Sequence, residues 1–381
     1  MSIKHAGRLP APGWRLSGHN GVLKQMRSSA VFRFCSTTTG WPRRFRLHTG
    51  RGYEYGLGDY VGSARGAMNT QAHSLTWPWP VWRTSAKEAL RAMLGEIEGL
   101  SITGGEASVR FSSEGIEFGR WLAGFSPSGV CSERLMGLPE RVGMPDQGAL
   151  RFREQWQSAR QIYLSVEQTQ AQVSAKVYLE YPLPAPDMRP LAPAQRQAAL
   201  QIESCKWRFD AATAKPASAR QTEYWRVSGL DGAATVQLLR EAAGLAPAPR
   251  SLYAAVAQVL ENALRVAPIW QGYRLLLVRE PGSARQGVGV RFYDSALRTG
   301  AVLEPLSHLF EAWGLNPAGL SPANAFWATQ ELGWLQAGLD AKGQPFVNVY
   351  GALSSADTRL VLSRVRHEPS QHRATNQMGL V

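Results

Sequence analysis

The segment RQIYLSVEQTQAQVSAKVYLEYP, residues 160–182, decides the fold. Successive side chains of an extended chain point to opposite faces. Ile162, Leu164 and Val166 therefore share one face, and Tyr163, Ser165 and Glu167 share the other. After the polar run TQAQ the pattern returns: Val177, Leu179 and Tyr181 oppose Lys176, Tyr178 and Glu180. Two strands joined by a short polar segment read as a hairpin with one oily side and one side of tyrosines and charges.

The same pattern repeats outward in both directions. ASVRFSS at 107–113 and IEFGRWLAGF at 116–125 flank the turn pair Glu114-Gly115. CKWRF at 205–209 is followed, past an Ala/Ser-rich loop, by TEYWRVSG at 222–229. YRLLLVRE at 273–280 and GVGVRFYDS at 287–295 flank Pro281-Gly282, and LGWLQAGLD at 332–340 and PFVNVYGAL at 345–353 flank Lys342-Gly343. Helical spacing fills the intervals, at about 84–100, 147–158, 193–202, 232–244, 252–264 and 302–313, with a closing helix at 355–366. Asp231 and Ser251 stand where N-caps are expected. The resulting fold class is α+β, five helix–strand–strand units with ten antiparallel strands.

A face carrying Arg110, Lys176, Tyr178, Tyr224, Arg226, Arg291, Tyr293, Asn348 and Tyr350 is satisfied in one of two ways. An open sheet turns it to water; a closed barrel turns it to a polar lumen with the helices outside. Ten strands are many for a flat open sheet. The face is also rich in aromatics, with Trp121 and Trp334 read as belonging to it. Closure is therefore the expectation.

Five such units in a ring resemble the αββα-barrel aromatic prenyltransferases, a remote resemblance nearest the indole branch. It covers about residues 80–366 as topology and a few short motifs as sequence. Lys176-Val177-Tyr178 resembles the Lys-x-Tyr that helps hold diphosphate on the fourth strand. Arg110 stands where that family has a first-strand arginine, and Tyr293 and Tyr350 where tyrosines of the eighth and tenth strands shield the allyl group. The sixth strand departs from the pattern: Tyr224-Trp225-Arg226 replaces Arg-x-Lys-x-Tyr. The resemblance implies a diphosphate set of Arg110, Lys176, Tyr178, Tyr224, Arg226 and Arg291, with Glu117 as the candidate carboxylate for the acceptor. It also implies an allylic diphosphate as co-substrate, no metal and no further cofactor, and an aromatic small molecule or peptide as acceptor.

The residue types suit that chemistry. Ionising an allylic diphosphate leaves an anion that needs fixed cationic donors. It also leaves a carbocation that aromatic faces stabilise while a closed lumen keeps water out. A carboxylate then takes the acceptor's proton. Two other readings remain open: a barrel that binds a small ligand without turnover, and a structural module with an open sheet.

Composition narrows the field further. The net charge is +13, but residues 1–67 hold 11 Lys/Arg against 2 Asp/Glu while residues 68–381 hold 31 against 27. The main domain therefore lacks the basic concentration that nucleic acid demands. The Arg-rich leader shows no helical or strand period. It reads as a disordered or non-native segment preceding a start at Met68, with one domain over 68–366 and a disordered tail at 367–381. Three cysteines, Cys35, Cys131 and Cys205, without a CxxC pair fit a reducing cytoplasm. No apolar run is long enough to span a membrane. His308 is the only histidine between residues 74 and 366, and no two aspartates lie within five residues of each other. A histidine-based metal site, a Ser–His–Asp hydrolase and an Asp-rich magnesium motif are all excluded on this count.

Overall fold

A computed structural model describes residues 93–168, 173–183, 196–209, 219–245, 250–317 and 325–367. The leader and the final tail lie outside the described residues. Ten strands form one closed antiparallel barrel. They are β1 Ile102–Ser112, β2 Gly115–Phe125, β3 Gln161–Gln168, β4 Val173–Glu180, β5 Ala198–Arg208, β6 Arg220–Val227, β7 Arg274–Arg279, β8 Gln286–Arg291, β9 Leu332–Leu339 and β10 Pro345–Leu353. Each pairs with its neighbours in the chain, and the ring closes where β1 lies against β10, with Arg110 opposite Asn348 and Ser108 opposite Tyr350.

The helices lie on the outside. A helical stretch at 93–98 (α1) precedes β1. Then α2 Ser132–Met136, α3 Leu138–Arg141 and α4 Asp146–Gln155 lead into β3. The pair α5 Gly232–Leu245 and α6 Arg250–Val266 precedes β7, α7 Ser307–Ala312 and α8 Ala325–Thr329 precede β9, and α9 Ser355–His367 closes the chain. Two apolar clusters fill the layer between helices and barrel. One joins Phe111, Val290, Val347 and Val349 to Leu260, Phe310 and Trp327. The other joins Ile162, Leu164, Val166 and Val177 to Met93, Phe152 and Leu362. The apolar faces read from the strand alternation are these outward faces, and the third cluster sits inside the barrel.

Three local readings are corrected. The helix expected at 193–202 is absent over its described part, since β5 begins at Ala198 and pairs with both β4 and β6. Ala198-Ala199-Leu200-Gln201 carries helical propensity, and the pairing of Ala198–Leu200 with β6 overrides it. The third hairpin therefore has no preceding helix among the described residues. Ser251 is not a cap, because α6 already includes Arg250. Trp121 faces outward, opposite Ala107 and Val166, and packs in the layer under the helices. Trp334 does face inward.

Asp231 does cap α5: its Oδ1 accepts the Ala234 N–H at 2.7 Å. Asp231→Ala leaves a first-turn N–H without that acceptor, and chemical denaturation is expected to show a loss of about 1 kcal/mol.

The wall formed by β8 and β9 is lined by Gly287, Gly289 and Gly338 on its inner side. A Cβ on Gly338 would lie 2.1 Å from the Gln286 carbonyl oxygen and 2.5 Å from the Gly287 Cα. Both neighbours are backbone, so only a separation of the two strands relieves the clash. Gly338→Ala is expected to lower stability by roughly 2 kcal/mol, read as a shifted denaturation midpoint at unchanged slope.

Candidate functional site

The barrel has two chemically different ends. At the end where the β1–β2, β7–β8 and β9–β10 hairpins turn, cations gather. Glu167 of β3, 6% exposed, is their centre. Its Oε1 accepts Nη2 of Arg120 at 2.7 Å and Nζ of Lys176 at 2.5 Å. Its Oε2 accepts Nζ of Lys206. Arg120 also donates from Nη1 to the Asn348 Oδ1 at 2.9 Å, while its Nε–H is buried with no hydrogen-bond partner among the described residues.

The register explains the convergence. Arg120 stands opposite Glu167, Lys176 opposite Lys206, and Asn348 opposite Gln336. A β-bulge between Ser108 and Arg110 brings Arg110 to the rim against Glu117. There Arg110 lies 3.2 Å from the Asp340 carboxylate, 3.9 Å from that of Glu117, and over the ring of Phe346. Arg285 approaches the same ring and pairs with Glu280 at 3.8 Å.

Electrostatics follow from burial and crowding. Burial alone would raise the Glu167 carboxyl, but Arg120, Lys176 and Lys206 hold it well below the usual carboxylate range. Burial pulls the Lys176 ammonium well below the ordinary lysine value against the attraction of Glu167, and nearby cations add to the fall. Lys206 is lowered for the same leading reason.

Tyrosines occupy the middle. Tyr178, Tyr224 and Tyr350 are pushed above the ordinary phenol range, chiefly by burial, so they remain neutral. The Tyr178 and Tyr224 rings lie 6.2 Å apart, and Tyr178 meets Tyr163 edge-on at 6.5 Å. The Tyr350 hydroxyl donates to the Gln336 Oε1 at 3.2 Å. An atom-free space of about 200 Å³ lies among Glu106, Ser108, Arg120, Leu122, Ser165, Glu167, Tyr178 and Tyr350.

The far end holds carboxylates bonded to tyrosines. Tyr293 donates to Glu106, and Tyr163 donates to Glu180 at 2.6 Å. Glu106 is raised to about 7, first by burial and then by Glu180, against the Tyr293 hydrogen bond and Arg291.

The residues singled out from sequence therefore divide. Arg110, Lys176 and Tyr178 share the cation-rich end, with Tyr224 and Tyr350 just beyond them. Arg226 lies near the other end of β6 from Arg220, which stands opposite Lys206. Arg291 lies at the far end of β8 and donates to the Gly272 carbonyl at 2.9 Å. The strand run from Arg285 to Arg291 spans about 20 Å, so the four cations Arg110, Lys176, Arg226 and Arg291 do not form one cluster. Tyr293 falls just past the end of β8 but still turns inward. Glu117 stays at the rim with its side chain 29% exposed.

Arg120, Lys206, Arg285, Glu106 and Gln336 were not singled out. Lys206 was visible in the alternation of CKWRF. The inner face of β2 is Arg120, Leu122 and Gly124 and its outer face Trp121, Ala123 and Phe125. Neither face is distinctly polar, which hid Arg120 and misplaced Trp121.

No family model and no curated protein matches the chain. Among solved structures it is similar to 5-dimethylallyltryptophan synthase from Streptomyces coelicolor, at 14% identity and a TM-score of 0.37, over 72% of this chain and 98% of that one. It is similar to AnaPT from Neosartorya fischeri at 14% identity and a TM-score of 0.39, over 66% and 79% of the two chains. It is also similar to NotF, in complex with brevianamide F and DMSPP, at 13% identity and a TM-score of 0.39, over 66% and 80%. Among the described residues no group of His, Cys, Asp and Glu is placed to hold a metal ion, and no helix is long and apolar enough to cross a membrane.

Proposed function

We propose that the chain is an aromatic prenyltransferase that moves a prenyl group from an allylic diphosphate to an indole- or phenol-like acceptor. One observation carries the reading. Two buried cations, Arg120 and Lys176, and a partly buried third, Lys206, share the Glu167 carboxylate inside a closed barrel, directly beside a collar of neutral tyrosines. Positive charge in excess of its internal partners favours an anion, and aromatic faces next to it favour the cation that leaves that anion.

In this reading Lys176, Arg120, Lys206 and Tyr178 hold the diphosphate, with Arg110 and Arg285 at the rim. Tyr224, Tyr350 and Trp334 border the allyl group and exclude water. Glu106, lining the same space and poised near neutrality, receives the acceptor's proton in place of Glu117, which is engaged with Arg110. Arg226 and Arg291 orient groups at the acceptor end.

The test is direct. Purified protein is incubated with several prenyl diphosphates and a panel of aromatic acceptors, and products are read by mass spectrometry. Mass gains of whole prenyl units are expected. Tight diphosphate binding without any product would overturn the enzymatic reading and leave a small-ligand-binding barrel.

A further inference from the structure

The cation cluster contains a feature that an anion site does not require: it already holds an anion. Glu167 satisfies Arg120, Lys176 and Lys206 at once, from the wall of the same space that Arg120, Tyr178 and Tyr350 line. We propose that Glu167 is the residue that determines which anions the lumen accepts, a resident counter-ion that shares the three cations with any bound phosphate group and weakens its binding. The inference rests on the reading of the lumen as an anion site, and it names the charge limit of that site.

The geometry supports a sharing role over a purely structural one. Both oxygens of Glu167 are engaged on their cation-facing sides, and Arg120 is held by Asn348 as well as by Glu167. The arginine therefore keeps a fixed position when the carboxylate loses its charge. The Nε–H of Arg120 is buried without a partner among the described residues, so a donor remains available for a ligand oxygen. Arg120, Lys176 and Lys206 against Glu167 leave two positive charges in excess. Removing the carboxylate charge leaves three. An incoming phosphate group lies close to Glu167, because both must reach the same three donors. Like charges at such range repel strongly in a medium of reduced dielectric. A second effect opposes the first without cancelling it: Glu167 supports the charged form of Lys176 and Lys206, and a bound polyanion substitutes for it in that role. Anions of low charge are thus penalised least, and highly charged ones must supply enough attraction to displace the carboxylate's hold.

The test is calorimetric titration of inorganic diphosphate and of inorganic phosphate into wild-type protein, Glu167→Gln, Lys206→Gln and the double variant. Glu167→Gln is expected to bind diphosphate at least roughly tenfold more tightly than wild type, with a smaller gain for phosphate. The double variant removes one charge of each sign and keeps the cluster's net charge, so it guards against a fold that fails once three cations lose the carboxylate they share. It is expected to bind diphosphate roughly tenfold more tightly than Lys206→Gln alone. Glu167→Gln or the double variant binding no better than its parent, while the parent binds, would overturn the role of Glu167 and leave the anion site intact. Absence of binding in all four proteins would remove the anion site and this inference together.

Discussion

Replacing Lys176 with methionine is expected to weaken binding of an allylic diphosphate by about a hundredfold or more and to lower product formation by about 10²–10³-fold. Lys176 is 2% exposed, its ammonium lies 2.5 Å from Glu167 and 3.4 Å from the Tyr178 hydroxyl, and it sits over the Tyr178 ring. Methionine keeps most of the stem's length and its packing and deletes only the charge. Glu167 still faces Arg120 and Lys206, so no carboxylate is left alone in the interior.

The stability side of this substitution has a definite sign. Burial lowers the folded pKa of Lys176 below its unfolded value, so the folded state sheds this proton more readily and the group's contribution becomes less unfavourable as pH rises between the two values. Below the folded value the ammonium carries its full burial cost. At neutral pH the methionine variant is thus expected to have a thermal midpoint near that of wild type. Lost binding at unchanged midpoint identifies a ligand contact. A midpoint collapse parallel to the lost binding would make Lys176 a structural member of the Glu167 network, and unchanged rates would sink its role at the diphosphate.

How far the site was legible follows from where alternation was clean. β3 and β4 carry apolar residues on one side and Tyr, Ser, Glu and Lys on the other, and their inner faces were readable residue by residue. Closure was not a property of any one strand. It depends on β1 meeting β10, a pairing between segments more than two hundred residues apart. Only the number of strands and the excess of aromatics on the polar face pointed to it. Glu106 was missed because its strand opens Ile102-Thr103-Gly104-Gly105, where glycines erase the alternation before ASVRFSS restores it. Arg226 and Arg291 were grouped with Lys176 because alternation reports the face of a strand and not the height along the barrel. Height depends on strand direction and stagger, which a single strand's pattern does not contain.

At Glu106, activity and stability are coupled in opposite directions. Its carboxyl is raised to about 7 by burial and by Glu180, and Tyr293 donates to it. A general base works in its deprotonated form, so acceptor prenylation at saturating diphosphate is expected to rise with pH through about 7 in wild type. Glu106→Gln keeps an oxygen for the Tyr293 hydroxyl and removes the basic site. Turnover is expected to fall by about 10²–10⁴-fold and the rising limb to disappear, while diphosphate affinity changes little. Stability moves the other way. A carboxyl whose folded pKa exceeds its unfolded one binds more protons when folded, so the protein loses stability as pH rises from the unfolded value toward about 7. Above that pH a buried carboxylate costs about 3 kcal/mol relative to the neutral form, a burden the glutamine does not bear. At pH 8 the variant is therefore expected to unfold at higher denaturant than wild type, and at pH 4 the two are expected to converge. A variant that is both inactive and less stable at pH 8 would place Glu106 among the groups that hold the barrel together. A variant with an intact rising limb would move the acceptor's proton to another group.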